Sequence, residues 1–316
     1  MTEDVGVRAA AELLRGAQDI LILMHKNPDG DTLGSGFAMR AALRALGKRA
    51  RAACDSVIPA KYAYMSDAAK EDGDFAPGFV LAVDIASPRL LGDSLEGYAA
   101  QTQLCIDHHG TNERYAQRLL CDSNSASCCE IIAQVIDALG VPFDKYIAEA
   151  LYTGASTDTG CFKYSNTTAD THRLAARLID CGIDLGELNF TLFEEKSRGR
   201  IALEQSALAG LEITSGGRIA IMTVTQDMLA KTGCTSADIE GITPIPRTIE
   251  GVEAGVTLRE TKDGLYKVSL RTRTVDAAAI CARFGGGGHI RAAGFECSGN
   301  MFDVKCAVVA AIEAAF

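Results

Sequence analysis

The feature that most constrains the fold of this chain is a set of three short apolar runs, each followed at once by acidic residues or histidines. The runs are 20–24 (ILILM), 79–83 (FVLAV) and 103–106 (QLCI). Continuous apolar runs of this length predict strands that are buried on both faces, as in a parallel sheet. Segments with helical spacing alternate with them, at 5–17, 125–140, 144–160 and 166–182. This alternation predicts an α/β fold with a doubly wound, mainly parallel sheet through about residue 185.

The stretch 24–36, MHKNPDGDTLGSG, follows the first apolar run and places His25, Asp29 and Asp31 close together. Its glycines and proline predict a loop, and helical spacing after Gly36 predicts that a helix begins there. Carboxylates packed together raise one another's pKa, and a divalent cation keeps them ionised. The stretch is therefore either an ordinary Asn/Asp/Gly turn with a capping aspartate or part of a metal site.

The ends of the other two runs favour the metal site. Asp84 follows the second run, and Asp107, His108 and His109 follow the third. Taken alone, Asp84 fits a strand-end or helix-capping aspartate better than a metal ligand. However, three of the five histidines of the chain follow two of the predicted strands, with acids beside them. Neutral imidazole is a common metal ligand, and a neighbouring carboxylate can fix its tautomer.

The chain after about residue 186 has a different pattern. A charged, helical segment at 186–212 predicts a connector, and residues 66–78 of the first half predict a polar loop. Three later stretches predict strands, and Lys262-Asp263-Gly264 predicts a hairpin turn between two of them. The stretches are 218–225 (RIAIMTVT), 251–260 (GVEAGVTLRE) and 265–274 (LYKVSLRTRT). We therefore expect a first domain at 1–185, the connector, and a smaller α/β domain with a mixed sheet at 213–316.

Four glycines, 285–288, precede His289 between a predicted helix at 275–284 and a strand. Bare backbone N–H groups in such a loop can surround a phosphate or carboxylate, so we interpret it as an anion-binding loop. Arg271 and Arg273 alternate with Thr272 along the preceding strand, so both can face one side of the sheet.

Composition limits the class of partner. The formal net charge is −10 and no Lys/Arg-rich run occurs, which argues against a long nucleic-acid duplex as partner. A short anionic substrate held by local cations or metal ions remains compatible with this charge. The sequence has no apolar stretch of membrane-spanning length and begins MTEDVGVRAA, so we expect no membrane partner and a cytoplasmic location. The eleven cysteines form no CxxC pair, which predicts reduced core residues.

Four motifs occur in the order HKNPDGD, AVDIAS, DHHGTN and STDTGCFKYSNTT, and VSLRTR and FGGGGHIRAAG follow them. The first four resemble motifs I to IV of the DHH phosphoesterase superfamily. The last two are similar to the DHHA1 substrate-binding domain. Length and layout look like the nano-RNase/pAp phosphatase branch, and the resemblance covers nearly the whole chain.

The resemblance implies two Mn²⁺-type ions in an active site between the two domains. His25, Asp29 and Asp84 would bind the first ion, and Asp84 would bridge to the second. The second ion would be bound by Asp31, Asp84, His108 and Asp158. Oxygen and nitrogen ligands favour Mn²⁺, although Co²⁺, Zn²⁺ or Mg²⁺ can also bind such a set. Two such ions would share a hydroxide that attacks the phosphorus in line.

Further residues receive roles from the same resemblance. Asp107 would orient the neighbouring histidines, and His109 would contact the scissile phosphate, so that the catalytic set is Asp84, Asp107, His108 and His109. In the second domain a terminal phosphate or nucleotide would be held by Arg271, His289 and the backbone of Gly286, Gly287 and Gly288.

The implied activity is hydrolysis of very short RNA to nucleoside 5′-monophosphates, and of 3′-phosphoadenosine 5′-phosphate (pAp) to AMP. Within the enzymes, the alternative is a phosphodiesterase for linear or cyclic dinucleotides such as pGpG, pApA or cyclic di-AMP. A non-catalytic nucleotide-binding regulator is the alternative of another class. Every implied ligand position is filled, which argues against the regulator.

Overall fold

The computed structural model describes residues 2–67, 75–239, 241–262 and 264–316. Residues 68–74 of the predicted polar loop and Asp263 of the predicted hairpin turn lie outside this range. The chain divides into two compact units, Met1–Glu195 and Lys196–Phe316. The predicted connector, 186–212, therefore contains the point of division.

The first unit is built around one parallel sheet. Its strands are β1 (Glu3–Asp4), β2 (Ile20–Leu23), β3 (Ala50–Ala53), β4 (Phe79–Val83), β5 (Leu104–Asp107) and β6 (Arg118–Cys121). Its helices are α1 (Val7–Gly16), α2 (Gly30–Ala45), α3 (Ala63–Asp67), α4 (Cys128–Leu139), α5 (Lys145–Asp158), α6 (Ala169–Asp180) and α7 (Leu185–Asn189). The three apolar runs are confirmed as β2, β4 and β5. The very short strand β1 and the strand β6 were not predicted.

The sheet order is β1-β6-β5-β4-β2-β3, and every neighbouring pair is parallel. The chain leaves β2 toward β3 on one side and resumes at β4 on the other side. Such a reversal of strand order opens a crevice outside the carboxyl ends of the two central strands, here β2 and β4. This is the position that α/β sheets use for ligands.

Both faces of this sheet are covered, which explains why its central strands β2, β4 and β5 are almost entirely apolar. Alternate residues such as Ile22, Leu81 and Ile106 pack with α1, α2, α4 and α5 in one large core. The intervening residues, such as Leu23, Ala82 and Cys105, pack in a second core with Leu91, Leu95 and the 3₁₀ turn at 96–101. The α/β class and the parallel sheet predicted from the sequence are confirmed.

The second unit contains a mixed sheet in the order β11-β12-β10-β9-β8-β7. Its strands are β7 (Glu212–Thr214), β8 (Ile219–Val224), β9 (Ala254–Lys262), β10 (Leu265–Thr272), β11 (Gly287–His289) and β12 (Ala292–Ser298). Its helices are α8 (Arg198–Ala209), α9 (Gln226–Thr232), α10 (Ala277–Ala282) and α11 (Met301–Glu313). Only the β8–β9 pair is parallel among the described pairs.

The two faces of this second sheet are covered differently. On one face Val256, Val268 and Leu270 pack with α10 and α11 in one core. On the other face, Met222 and Val224 of β8 pack with α8 and α9. Beside this second cluster, residues of β9, β10 and β12 on the same face line a cavity. The mixed sheet predicted for the second domain is confirmed.

The cysteines are all free, and Cys105, Cys128, Cys129 and Cys281 are buried. Five others are partly buried and pack against a core, namely Cys54, Cys121, Cys181, Cys234 and Cys297. The prediction of core positions is wrong for Cys306, which is exposed, and Cys161 belongs to none of the described cores. No helix among the described residues combines the length and the apolar composition needed to cross a bilayer.

Candidate metal centre

Three adjacent strands of the first sheet deliver the predicted ligands to one edge. His25 follows β2, Asp84 follows β4 directly, and His108 follows β5, whose last residue is Asp107. Because β2, β4 and β5 are neighbours and parallel, their carboxyl ends meet at the crevice where the strand order reverses. The remaining predicted ligands come from two helices, α2 and α5.

The structure corrects the prediction for the first acidic stretch. Helix α2 begins at Gly30 rather than after Gly36, so Asp31 lies in its first turn and not in a loop. Asp29 is the N-cap residue, and its Oδ1 accepts hydrogen bonds from the backbone N–H groups of Asp31 and Thr32 at 3.0 and 3.1 Å. The capping role and the metal role were alternatives in the sequence, and the geometry allows Asp29 both.

The glycines of this stretch serve helix packing rather than a turn. A Cβ on Gly34 would collide with the carbonyl oxygen of Ala150 in α5. A Cβ on Gly154 of α5 would collide with Cys129 and lie 2.8 Å from Asp31 Oδ1. Glycines on both helices therefore allow α2 and α5 to approach closely, and this places Asp31 and Asp158 at one site.

Asp84 is the centre of the cluster. Its φ of 57° is in the left-handed region, which costs a non-glycine residue about 1 kcal/mol or more and is found mainly at functional sites. Its side chain is 3% exposed. Its Oδ1 has no hydrogen-bond partner among the residues that the structure describes. A buried carboxylate oxygen without a partner is costly unless a cation occupies the space beside it.

The two oxygens of Asp84 face two different sets of side chains. Oδ2 lies 3.7 Å from His25 Nε2, which in turn lies 3.6 Å from Asp29 Oδ1. The ligand atoms of these three residues all lie within 4.8 Å of one another. His25 Nδ1 is 2.9 Å from the carbonyl oxygen of Lys26, and donation to that oxygen would leave Nε2 free to bind a metal.

The second set surrounds Asp84 Oδ1. His108 Nε2 lies 3.7 Å from that oxygen, 3.7 Å from Asp31 Oδ2 and 3.6 Å from Asp158 Oδ2. His108 Nδ1 is 3.2 Å from the carbonyl oxygen of Ser125, which again directs Nε2 into the cluster. Both sets thus combine imidazole nitrogen with carboxylate oxygen around one shared aspartate.

These separations fit metal ligands better than hydrogen bonds. Distances of 3.6–3.7 Å exceed hydrogen-bond length. Two ligand atoms that each lie about 2.1 Å from one ion are roughly 3.0–3.6 Å apart, so a slight contraction would complete each shell. The donor set, the unpartnered oxygen of Asp84 and the spacing all fit a divalent cation on each side of Asp84.

Electrostatics lead to the same conclusion. Burial raises the pKa of Asp84 well above its ordinary value, and the charges of Asp31 and Asp29 raise it further. Burial and the charge of Asp29 raise the pKa of Asp31 to about 6, although the N–H groups of Cys129 and Cys128 oppose the rise. Burial and the charge of Asp31 raise the pKa of Asp158 to about 7. These acidic residues are therefore all ionised at neutral pH only when cations are present.

Asp107 holds the neighbouring histidine in place. Its Oδ1 accepts the backbone N–H groups of His108 and His109 at 2.8 and 3.2 Å and lies 2.8 Å from His109 Nδ1. The hydrogen bond to Asp107 raises the pKa of His109. Burial would raise the pKa of Asp107, but its hydrogen bonds with His109 and Asn112 outweigh burial and lower it.

Two features of the centre were missed by the sequence interpretation. Asn112 Nδ2 donates to Asp107 Oδ2 at 2.6 Å and to the carbonyl oxygen of Ile85 at 3.2 Å, so it fixes Asp107. The N-terminus of α4 donates the N–H groups of Cys128 and Cys129 to the two oxygens of Asp31 at 2.6 and 2.9 Å. Asn112 ends the DHHGTN motif and was a visible signal, whereas the α4 contact is purely tertiary.

The residues predicted to bind substrate lie in the second unit. Arg271, Gly287 and Gly288 line the cavity of about 480 Å³, but Gly286 and His289 are not among its lining residues. The predicted glycine loop is partly wrong, because Gly287–His289 forms the edge strand β11, paired with β12. Arg273 lies beyond the end of β10 and is exposed, so only Arg271 of the two arginines lines the cavity.

Comparisons with known proteins agree with this fold and show the family of the chain. Residues 19–155 match the model of the DHH family, N-terminal domain, and residues 216–314 match the DHHA1 domain. The chain therefore belongs to the DHH family of phosphoesterases, with a DHHA1 domain after its DHH domain. It is 34% identical to the bifunctional oligoribonuclease and PAP phosphatase NrnA of Thermus thermophilus, over 94% of this chain and 90% of that protein.

Two solved structures share the fold. An exopolyphosphatase-related protein from Bacteroides fragilis superposes with a TM-score of 0.84 at 23% identity, covering 98% of this chain and 95% of that one. RecJ of Thermus thermophilus, solved in complex with Mn²⁺, superposes with a TM-score of 0.54 at 15% identity. The superposition covers 98% of this chain but only 54% of that RecJ chain.

Proposed function

We propose that this protein is a phosphoesterase that uses two divalent metal ions to hydrolyse very short oligoribonucleotides to nucleoside 5′-monophosphates and pAp to AMP. The observation that carries the proposal is the position of Asp84, whose two oxygens face separate sets of histidine and aspartate side chains. A carboxylate shared between two ligand sets is the arrangement that two neighbouring cations require.

In this proposal His25, Asp29 and Asp84 hold one ion, and Asp31, Asp84, His108 and Asp158 hold the other. Mixed oxygen and nitrogen donors without thiolate suit Mn²⁺, and the Mn²⁺ in the RecJ structure supports this choice; Co²⁺, Zn²⁺ and Mg²⁺ remain alternatives. Bound ions would supply Lewis acidity toward phosphate oxygens and a water nucleophile of lowered pKa.

The protein's own residues orient and hold the substrate. Asp107 fixes the ring of His109 and raises its pKa. The ring would donate a hydrogen bond to the scissile phosphate. In the second unit, Arg271 and the backbone of Gly287 and Gly288 would hold another phosphate in the cavity that they line. Gly286 would keep β11 in place, and His289 would contact the ligand only from outside that cavity.

The choice of substrate rests on the relatives. The Thermus thermophilus protein named as an oligoribonuclease and PAP phosphatase matches this chain over 94% of its length, which includes both units, and this supports the same choice of substrate. A net charge of −10 suits a small nucleotide held at local sites better than a long duplex held along a basic surface.

The test is incubation of the purified protein with Mn²⁺ and, separately, pApA, pAp and cyclic di-AMP, with products separated by ion-exchange chromatography. The proposal predicts AMP from pApA and pAp. Binding of Mn²⁺ without release of AMP from either substrate would refute it. Cleavage of cyclic di-AMP in preference to both would instead favour the cyclic dinucleotide phosphodiesterase.

Asp84→Asn separates an enzyme from a nucleotide-binding regulator. The enzyme should lose turnover in this variant, whereas a regulator should keep its affinity for nucleotide and show no activity in the wild type either. Asparagine is well tolerated at positive φ, so the backbone at residue 84 should persist.

A further inference from the structure

The short segment 125–129, through which the chain enters α4, contacts two predicted ligands of the second ion. The carbonyl oxygen of Ser125 lies 3.2 Å from His108 Nδ1 and so directs Nε2 of that ring into the cluster. The first two N–H groups of α4 donate to the two oxygens of Asp31 at 2.6 and 2.9 Å. The position of this segment therefore determines the position of an imidazole and of a carboxylate together.

Asn166 joins this segment to the end of α5. Its Nδ2 donates to the carbonyl oxygen of Ala126 at 3.1 Å and to the carbonyl oxygen of Asp158 at 3.2 Å. An amide nitrogen carries two hydrogens, so one side chain can make both bonds. Ala126 follows Ser125 directly, and Asp158 is a third predicted ligand of the second ion. The amide of Asn166 therefore connects the backbone at all three of these ligands.

Glu130 holds the other polar backbone group of Ala126. Its Oε2 accepts the N–H group of Ala126 at 3.2 Å. Glu130 is 7% exposed, and its Oε1 has no hydrogen-bond partner among the residues that the structure describes. A buried carboxyl oxygen without a partner costs stability, so a contribution to folding does not by itself explain this acid. Asn166 and Glu130 together bind both polar backbone groups of Ala126.

The ligands that depend on Ala126 all belong to one of the two ions. They are Asp31, His108 and Asp158, the members of the second set other than the shared Asp84. The ligands that belong only to the first set are supported differently, since the described hydrogen bonds of His25 and Asp29 stay within residues 25–32. The two ions are therefore supported by separate parts of the chain.

We propose that Asn166 and Glu130 are positioning residues for the second ion. They fix Ala126, and the segment that Ala126 belongs to fixes the ligands, while neither residue is itself a ligand. The proposal rests on the two-metal centre of the proposed function and adds residues that support only one of its ions. Loss of either residue should weaken binding of the second ion and leave the first ion in place.

The test titrates the full-length protein with Mn²⁺ in the absence of substrate and measures free Mn²⁺ by electron paramagnetic resonance. Wild-type protein should bind two ions. Asn166→Ala should weaken one ion by about 10- to 100-fold, the usual effect of removing a residue that orients metal ligands, and leave the other within about twofold. The Mn²⁺ concentration that gives half-maximal cleavage of pApA should rise with it.

Anomalous scattering at the manganese edge identifies which ion is weakened. Crystals of Asn166→Ala are soaked at a Mn²⁺ concentration that fills only the tighter site. The peak beside Oδ1 of Asp84 should then be lost, and the peak beside Oδ2 should remain. Loss of the peak beside Oδ2 instead would contradict the assignment of Asn166 to the second ion.

The variants of Glu130 and a neighbouring serine supply the controls. Glu130→Gln keeps an oxygen that can accept the N–H group of Ala126 and should keep most of the affinity, whereas Glu130→Ala should weaken the second ion. Ser165→Ala changes an exposed residue on the same turn as Asn166 and should bind both ions as the wild type does. Melting temperatures in EDTA show whether each variant folds, and Asn166 is itself exposed, so its alanine variant should fold.

Unchanged affinity for both ions in Asn166→Ala would overturn the proposal, as would equal weakening of both ions or an equal loss in Ser165→Ala. The proposed function can fail separately, because metal binding is measured without hydrolysis. The expected binding pattern without release of AMP would remove the enzyme assignment and leave the positioning role standing. Fewer than two ions bound to the wild type would overturn both.

Discussion

Asp107 Oδ1 lies 2.8 Å from His109 Nδ1, and this contact joins a fully buried carboxylate to a histidine whose side chain is 46% exposed. The hydrogen bond sets which nitrogen of the ring is directed outward. Because Asn112 in turn holds the other oxygen of Asp107, the orientation of His109 is determined by two residues that are not themselves predicted metal ligands. Substitutions of Asp107 and Asn112 test whether these two residues orient His109.

Asp107→Asn should lower kcat on pApA by about 10- to 100-fold, the usual effect of losing a residue that orients a catalytic side chain, with Mn²⁺ stoichiometry unchanged. The physical reason is that an amide can no longer fix the charge and tautomer of His109. Asn112→Ala should give a smaller loss in the same direction. Unaltered kcat in both variants would exclude a positioning role for this pair.

Asp84→Asn should lower kcat by about 1,000-fold or more, because the shared ligand of both ions contributes several kcal/mol of charge stabilisation. The same variant should make the metal-free protein more stable at neutral pH, since it removes a buried carboxyl group whose ionisation is disfavoured by burial and by the charge of Asp31. Enzyme kinetics and thermal melts in EDTA measure the two effects. A variant that loses stability in EDTA would argue that Asp84 is structural.

The pH dependence of stability follows from the raised pKa values of Asp31, to about 6, and Asp158, to about 7. A carboxyl group with a higher pKa in the folded state favours folding when protonated, so the metal-free protein should lose stability as pH rises from about 4 to 7. Cations relieve this loss. The Mn²⁺-induced rise in melting temperature should therefore be larger at pH 7.5 than at pH 5.5. Equal rises in melting temperature at both pH values would contradict this explanation.

Much of this site could be predicted because the sheet is regular. The apolar strands β2, β4 and β5 are readable from sequence, and parallel strands bring the residues after their carboxyl ends, such as Asp84 and His108, to one edge. The start of α2 was not predictable, because the glycines in its first turns are typical of a loop. Gly34 is instead required by its close contact with Ala150 of α5, more than a hundred residues away in the sequence. The hydrogen bonds from the N-terminus of α4 to Asp31 depend on the same packing.

The second unit was less predictable for a related reason. Strand β11 consists of glycines and a histidine, a composition typical of loops, and only its pairing with β12 makes it a strand. Arg259 and Lys267 belong to two different strands, and the pattern of neither strand alone shows that the two residues are neighbours. They become partners only through the register of β9 and β10.

Gly34→Ala should destabilise the protein by about 1–3 kcal/mol and lower Mn²⁺ affinity, because the added methyl group would push α2 away from α5 and displace Asp31. Gly16→Ala is the matched control, because its added methyl group would meet nothing within 4 Å at the end of α1. That control should be neutral or slightly stabilising. Chemical denaturation measures both variants, and equal effects would refute the packing role of Gly34.

Gly287→Ala should raise KM for pApA without changing melting temperature, because its Cβ would meet no protein atom within 4 Å and would extend into open space beside the cavity that Gly287 lines. Gly288→Ala should raise KM and also lower the melting temperature, since its φ is 141° and its Cβ would lie 2.6 Å from the carbonyl oxygen of Ala292. Steady-state kinetics and thermal melts distinguish the two. A normal KM in Gly287→Ala would place the substrate elsewhere.

The most direct test of the central claim is a crystal structure of the protein grown with Mn²⁺, with anomalous scattering recorded at the manganese edge. The account predicts two anomalous peaks, one beside Oδ2 of Asp84 with His25 and Asp29, and one beside Oδ1 with Asp31, His108 and Asp158. A single peak, or peaks that Asp84 does not contact, would contradict it.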